Sequence, residues 1–600
     1  MKGLIFIGCL LLGQFAFSAD APKTDGIEWQ EWSPAVFEKA KAEDKLVLLN
    51  LHAVWCHWCH VMDQQTYSNP KVIALIRSKY IAVSVDQDSR PDLSNRYEDY
   101  GWPATVIFAS DGSELAKRRG FIPPEGMAST LQAFIDDPTP GPSANDDSQK
   151  VQYSKTSILT DAQRKDLKAA LLAGYDGKYG SWGRDQKYLD WNNVEYCMTQ
   201  ARAGDIRMEK LAKQTLTAQL QLIDPVWGGV YQYSTDGDWN HPHFEKIMQF
   251  QGENLRMYAM GYMYWKDPTY LHAASNIHRF VRDFLTSPEG SYYTSQDADV
   301  VDGVHSADYF KLDDAGRRKQ GIPRVDKHVY ARENGWMIYA LAKLYAATGN
   351  QSYLDEALNA TNTILHQRSM PSGGWRHDAE NEAGPFLGDA LYMGRACLGL
   401  YEVTGDVQWL FQSEQAAIFI IDRCQPEDDA AGVMTTAISE SNIVPSKPEF
   451  DENVDVARFA NLLYYYTDNF HYRDLAKCAM RFLSTPEIAT KRGAYVGGLL
   501  LADMETNSAP LHIVVVGSKS DDAAKKLFAA AVRYPGNYKQ IEWQEPHTEA
   551  LHPDVTYPDL PQAAVYICTN NSCSAPIFKP EDLAPKIEKM QARGKGSAGR

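Results

Sequence analysis

Basic charge is in short supply in this 600-residue chain, where 60 Lys and Arg stand against 77 Asp and Glu, a formal charge of -17. Nucleic acids and anionic lipid are bound by clustered Lys and Arg that release counterions, so both partner classes are set aside. Long apolar runs are missing too. Beyond the N-terminal segment no stretch reaches the roughly 18–20 apolar residues of a membrane span, so none is expected. Cysteine is sparse at nine residues. With Cys9 set apart in the N-terminal segment, only Cys56/Cys59 and Cys568/Cys573 are close enough in sequence to be paired on sight. Cys197, Cys397, Cys424 and Cys478 lie in apolar helical stretches and read as small buried hydrophobes. What is left is an ordinary globular composition, 44% hydrophobic and 23% charged, on a length that calls for two or three domains.

The first residues, M-K-G-L-I-F-I-G-C-L-L-L-G-Q-F-A-F-S-A, combine one positive charge, a short apolar core and small residues at Ala16 and Ser18. That is signal-peptide grammar over residues 1–18, and it implies an exported protein, periplasmic or secreted. A lipoprotein reading of Cys9 is disfavoured because the apolar stretch before it is too short.

The fold class expected is multidomain, α/β plus all-α. Residues 46–52 (L-V-L-L-N-L-H), 80–86 and 104–109 read as strands, with helices over 60–79 and 124–135, which gives β-α-β-β-α and a thioredoxin-like domain over 19–136. Residues 137–155 are rich in Pro, Ser and acid and read as a flexible linker. From 156 to 506 the pattern is one of long amphipathic helices. Six glycine–aromatic loops punctuate it: 180–183, 227–231, 290–293, 373–375, 432–434 and 493–495. Six hairpins closing on themselves make an (α/α)6 toroid, with an open solenoid as the alternative. Residues 507–590 form a small α/β module, and 591–600 are expected to be disordered.

The string A-V-W-C-H-W-C-H-V-M lies between a strand and the start of a helix. A cysteine at a helix N-terminus meets unpaired N–H groups that stabilise its thiolate, so Cys56 is expected to be the exposed nucleophile and Cys59 the buried resolving thiol. His57, between them, favours the reduced form. Haem attachment, a soft-metal site and a merely structural disulfide share the same letters and stay open as alternatives. Trp102-Pro103 precedes the strand A-T-V-I-F, where thioredoxin folds place a cis-proline beside the dithiol. Asn50 stands where thioredoxins carry a buried acid, and His52 is the nearby substitute.

The chain resembles the spermatogenesis-associated protein 20 family. The matching residues are C-H-W-C-H-V-M at 56–62, V-D-Q-D-S-R-P-D-L at 85–93, G-W-P at 101–103, P-H-F-E-K-I-M at 242–248, S-Q-D-A-D at 295–299, N-G-W-M-I at 334–338 and C-T-N-N-S-C at 568–573. The resemblance implies a thioredoxin domain followed by a toroid similar to those of N-acylglucosamine epimerases and six-hairpin glycosidases. Two stretches depart from the family pattern: E-N-V-D-V-A at 452–457, and Glu333-Asn334-Gly335 where a Trp-Asn-Gly is usual.

In such toroids ligands occupy the central funnel, and the residues expected to line it are Trp239, His243, Glu245, Asp297, Asp299, Arg332 and Asp389, with Trp102 facing it from the thioredoxin domain. His243/Glu245 and Asp297/Asp299 are two apart, so an extended loop puts each pair on one side. The function expected is thiol–disulfide exchange on a client protein or redox partner, with the toroid recruiting a substrate or glycan. Alternatives are an epimerase- or glycosidase-like enzyme acting on a carbohydrate ligand, and a non-catalytic scaffold. Neither a cofactor nor a metal is expected, and Cys568–Cys573 is read as a structural disulfide, with His512 and His552 the local ligands a zinc site would need. The aromatics Trp58 and Trp102 are expected to face the toroid or a client peptide, whereas Trp55 belongs to the small domain's core.

Overall fold

The computed structural model describes residues 26–597 except 148–150, 380–383, 428–429, 439–443, 547–556, 559 and 570–571. The proposed signal peptide and His552 lie outside the described residues. No helix among those described is long and apolar enough to cross a membrane.

The first domain runs β1 (Trp29–Gln30), α1 (Pro34–Glu43), β2 (Leu46–His52), α2 (His57–Met62), α3 (Pro70–Lys79), β3 (Tyr80–Asp86), α4 (Pro91–Tyr97), β4 (Ala104–Phe108), β5 (Glu114–Arg119) and α5 (Pro124–Asp136). Its five strands are ordered β1-β3-β2-β4-β5, parallel from β1 through β2 and antiparallel at β4 and β5. Strand β2 is central because its apolar run is buried on both faces. The single helix read over 60–79 is two helices. Asn69 caps the amides of Lys71 and Val72, and Pro70, which has no N–H to give, starts a new first turn.

The segment read as a flexible linker is pinned at both ends. Residues Pro142–Asp147 make a 3-10 turn along β5, where Ser143 Oγ accepts the Lys117 amide at 3.0 Å. Ser154 N–H donates to Thr485 Oγ1 at 2.9 Å. The physical reason is that an edge strand leaves its backbone groups unpaired, and the short polar side chains of this segment satisfy them.

The toroid comprises α6 (Asp161–Ala173), α7 (Trp191–Arg202), α8 (Ile206–Gln219), α9 (Met248–Trp265), α10 (Pro268–Phe284), α11 (Ala331–Thr348), α12 (Gln351–Arg368), α13 (Leu387–Thr404), α14 (Val407–Arg423), α15 (Phe450–Thr467), α16 (Phe470–Leu483) and α17 (Gly497–Thr506). Helices α7, α9, α11, α13, α15 and α17 pack in sequence, and α17 returns to α7, so the ring is closed rather than a solenoid. Helices α8, α10, α12, α14 and α16 each back the inner helix before them, and α6 backs α17. Inner α11 is buried almost all round, as a helix surrounded by others must be.

One device recurs at the inner helix starts: an amide side chain in the first turn grips a glycine–aromatic loop. Gln251 bonds both backbone groups of Val230, Asn334 those of Tyr292 and Asn453 those of Val433, while Asn193 takes the Gly497 N–H and the Ala494 carbonyl. Gly374, at φ 71°, shows why glycine is needed in these loops, since a Cβ there would lie 2.7 Å from the Phe419 ring. A small ribbon of β6 (Lys246–Ile247), β7 (Ser295–Gln296) and β8 (Val325–Asp326) crosses the same end of the ring.

The C-terminal module contains β9 (Leu511–Val516), α18 (Asp522–Arg533), β10 (Lys539–Gln544), β11 (Ala564–Thr569), β12 (Ser572–Cys573) and α19 (Leu583–Ser597), with sheet order β10-β9-β11-β12. Cys568 and Cys573 face each other across β11 and β12 in a disulfide of 2.08 Å. Residues 591–597, expected to be disordered, continue α19, whose buried Leu583 and Ile587 anchor it against the module.

Candidate active site

The thioredoxin domain sits on the end of the toroid where the inner helices begin. The Ala298 amide donates to the Trp55 carbonyl at 3.4 Å, and Arg324 Nη2 donates to Val54 O at 2.9 Å. His377 Nε2 lies 2.7 Å from the Asp88 carbonyl, and Arg492 spans the boundary to Glu98 at 2.7 Å. These contacts lay the C-H-W-C loop directly on the toroid.

Cys56 is the N-cap of α2, and its Sγ accepts the Cys59 N–H at 3.1 Å. The two cysteines form a disulfide of 2.19 Å. The Trp102–Pro103 peptide bond is cis. The expectation of an exposed Cys56 is corrected: Cys56 and Cys59 are 4% and 3% exposed. Ile247 and Phe250, from the start of α9, close over them together with Trp55 and Trp102.

His57 reaches across the boundary. Its Nδ1 is 2.8 Å from Asp299 Oδ1 and 2.9 Å from Asp299 Oδ2. His60 Nδ1 meets the same carboxylate at 3.2 Å, and His60 Nε2 lies 3.6 Å from Asp297 Oδ2 and 3.2 Å from the Val54 carbonyl. Asp297 Oδ1 accepts the Asp299 amide at 2.9 Å, which ties the two acids together.

Burial opposes a charge on His60, but the Asp299 hydrogen bond and the fields of Asp297 and Asp302 raise it to about 9. Burial likewise works against Asp299, yet hydrogen bonds from His57 and His60 hold it below the usual carboxylate range. Burial lifts Asp297 to about 7 against the pull of His60, and lifts Asp63 to about 7. His52 goes the other way, to about 4, driven by burial and by the charges of His60 and Arg324. The site therefore combines a charged His60–Asp299 pair, a neutral His52 and two acids poised near neutrality.

The residues expected in the funnel divide. Asp297 and Asp299 join the dithiol cluster. His243 stacks on Tyr233 at 4.4 Å with its Nδ1 3.8 Å from the buried Glu245, and His305 stands edge-on between Phe244 and His57. Arg332 is committed to Glu333 at 2.6 Å, and its amide to Asp389, which also takes His377 Nδ1 at 2.8 Å. These last residues brace the loop that holds Asp88. Trp239 is elsewhere: it is buried, and its indole donates to the Tyr179 carbonyl at 2.7 Å. Trp55 is buried as expected of a core residue, its indole giving 2.7 Å to Asp88 Oδ2. Trp102 is half-buried beside it, ring centroids 6.0 Å apart, whereas Trp58 stays 43% exposed against Phe121 rather than against the toroid. The choice of site residues left out His60, Asp63, Arg324, His377 and Asp88, although the V-D-Q-D and C-H-W-C-H strings contain two of them, Asp88 and His60.

Fold and site define a class, a thioredoxin-like domain with a C-x-x-C disulfide closed onto a six-hairpin toroid. Residues 19–136 match a family model labelled Thioredox_DsbH and described as "Protein of unknown function, DUF255". The chain is similar to spermatogenesis-associated protein 20 of Mus musculus, to which it is 26% identical over 46% of this chain and 39% of that one. The alignment thus spans about two-fifths of the mammalian relative's length. An uncharacterized protein of Caenorhabditis elegans is 24% identical over 94% of this chain and 95% of its own. Thiol:disulfide interchange protein DsbD 2 of Pseudomonas aeruginosa is 34% identical over 13% of this chain and 14% of that one. Among solved structures, a D-mannose isomerase aligns over 58% of this chain and 98% of its own at 12% identity and a TM-score of 0.44.

Proposed function

We propose that this protein is an exported thiol–disulfide oxidoreductase whose toroid encloses the dithiol and supplies the groups that steer its protons. The observation that carries the reading is the His57–Asp299 hydrogen bond, 2.8 Å long between residues 242 apart in sequence. An aspartate fixed to Nδ1 of a histidine within the C-x-x-C motif sets the orientation of that imidazole beside the cysteines. In the reducing direction the Cys56 thiolate attacks one sulfur of a client disulfide. The S–S electron pair leaves on the other client sulfur, which takes up a proton. Cys59, deprotonated, then attacks Cys56 in the mixed disulfide and expels the second client sulfur, so two electrons pass to the client and Cys56–Cys59 is left oxidised. The opposite direction retraces these steps. Asn50 is neutral and cannot receive the Cys59 proton, which leaves Asp63 and Asp297 as the acids titrating near neutrality.

Exchange is favoured over sugar chemistry because Asp297 and Asp299 turn toward the histidines of the dithiol loop, and the thioredoxin domain covers the funnel mouth. The similarity to a thiol:disulfide interchange protein and the two disulfides among the described residues support the same reading and an oxidising compartment. The test is trapping: Cys59→Ser should accumulate a mixed disulfide with a cysteine peptide at Cys56, and Cys56→Ser should abolish exchange. If the reduced wild-type protein and Cys56→Ser treat a peptide disulfide alike, the reading fails.

A further inference from the structure

Away from the dithiol, the domain boundary buries a second cluster. Asp86 ends β3, Asp88 follows it, and Asp326 ends β8 on the toroid side. Each offers a carboxylate oxygen within 4.8 Å of the others, and the residues are 8%, 2% and 5% exposed. Asp88 is spoken for on both oxygens, by the Trp55 indole and the Gln87 amide. Asp86 and Asp326 are not: Oδ1 of Asp86 accepts the Asp88 amide at 3.4 Å, and Oδ1 of Asp326 takes His328 Nδ1 at 2.6 Å, while Oδ2 of each has no hydrogen-bond partner among the described residues. Two buried carboxylates facing one another with an orphaned oxygen apiece are unstable without a positive partner, because an unpaired buried polar atom keeps its full desolvation cost.

The cations nearby do not balance the cluster. His328 is held by Asp326, and Arg332, the next candidate, is bound to Glu333, itself carrying an orphaned Oε2. We infer that Asp86, Asp88 and Asp326 form a binding site for a hard divalent cation of the calcium type, which clamps the thioredoxin domain onto the toroid. The donors are all oxygen, with no thiolate to select a softer metal. Calcium binds oxygen at about 2.3–2.6 Å, so donors on opposite sides of the ion stand up to roughly 5 Å apart, a span that contains this cluster. Magnesium, at about 2.0–2.1 Å, draws opposite donors to roughly 4 Å and demands near-octahedral geometry, so it fits less well. Because Asp86 and Asp88 belong to one domain and Asp326 to the other, an ion here is bound fully only when the domains are docked. The cluster does not involve the cysteines, and the inference stands apart from the redox reading.

The experiment uses the full chain stripped with a chelator. Isothermal titration with calcium chloride should give one saturable site per chain, with magnesium at least tenfold weaker. Calcium should raise the thermal midpoint and slow proteolysis within 137–155 several-fold. The Asp86→Asn/Asp326→Asn variant should lose binding at least a hundredfold while keeping wild-type circular dichroism. Absence of a saturable heat together with a calcium-independent midpoint would overturn the inference and leave shared protons as what satisfies the carboxyls. Unaltered calcium binding by the double variant would overturn it too. If that variant does not fold, the wild-type titration and the single Asp326→Asn substitution decide.

Discussion

The two ends of the toroid are closed in opposite ways. At one end the C-terminal module shares a continuous apolar core with the ring, in which Ile513, Val515, Leu527 and Ala531 pack in one cluster with Tyr401 and Tyr466. At the other end the thioredoxin domain keeps its own cores, one on each face of its sheet, and among the described residues small apolar patches bridge to the ring, one around Ile247 and Phe250 and one at Val444. The rest of that boundary is carboxylates, histidines and arginines. Apolar burial is undirected and cumulative, so it welds; paired charges depend on pH, salt and ions, so they dock. The C-terminal module therefore shares its core with the toroid, whereas the thioredoxin domain keeps cores of its own.

The harshest way to break this comparison is Phe528→Ala. Phe528 is buried against Trp543, ring centroids 4.4 Å apart, and its loss should cost about 3–5 kcal/mol. Toroid and module should then melt together at a lower temperature in calorimetry. Separate transitions for the two would show that no common core joins them.

Arg492 is the matching target at the docked end. It reaches Glu98, Glu449 and Asp451 at 2.7, 2.8 and 3.0 Å, and Arg492→Ala leaves three carboxylates facing each other without their cation. We expect about 2–3 kcal/mol less docking free energy, discounted from a fully buried pair because the guanidinium is 23% exposed. Small-angle scattering should show an expanded particle, with each domain still folded by circular dichroism.

A pH change acts on the same boundary more gently. Burial and the neighbouring Glu449 raise Glu98 to about 8, and burial and Glu449 raise Glu452 to about 8. An acid whose folded value lies above its unfolded one binds extra protons in the docked state, so its contribution falls as pH climbs from about 4.5 through 8. His60, raised to about 9, contributes fully below 6.5 and loses that contribution as pH rises through 9. Both signs agree: docking should be tightest near pH 5 and loosen toward pH 9 in the same scattering experiment. Tightening with rising pH would contradict the assignment.

The mildest change sharpens the comparison at a single carboxylate, the one that His57 and His60 share. Asp299→Asn should free His57 without unfolding anything, and slow alkylation of reduced Cys56 near neutral pH about tenfold, which is 1.4 kcal/mol. An unchanged alkylation rate would mean that the toroid shields the dithiol without tuning it.

How much of this was legible beforehand follows from the range of the forces involved. The ring could be read because each hairpin is local: helix periodicity and the glycine–aromatic loops repeat within a few dozen residues. Cys56, Cys59, Pro103 and the Cys568–Cys573 pair could be read for the same reason. Asp297 and Asp299 were picked out by their two-residue spacing, but the histidines they face come from a loop about 240 residues earlier, and periodicity carries no information about partners at that distance. The same blindness explains why Cys56 was expected to be exposed. Alone, the thioredoxin domain would expose it; the covering residues Ile247 and Phe250 lie in another domain and look in sequence like any other helix start. Arg492, Glu98 and Asp326 gave no signal, since single charges on loops are usually solvated.

One further consequence comes from how the ring is fastened. Outer helix α6 is the first of the toroid in the chain, yet it backs α17, the last. Its entry is tied there by Asp503, which accepts the Leu159 amide at 3.1 Å and Arg164 Nε at 2.7 Å, across 344 and 339 residues. Contacts of such separation form late, because the intervening chain must be ordered before they return any free energy. During synthesis the thioredoxin domain can complete its sheet early, from the first 136 residues, while the face that will cover its cysteines waits for the clasp to shut. Until that closure the Cys56–Cys59 pair of the new chain stands uncovered, so the order of the elements along the chain sets when it becomes enclosed.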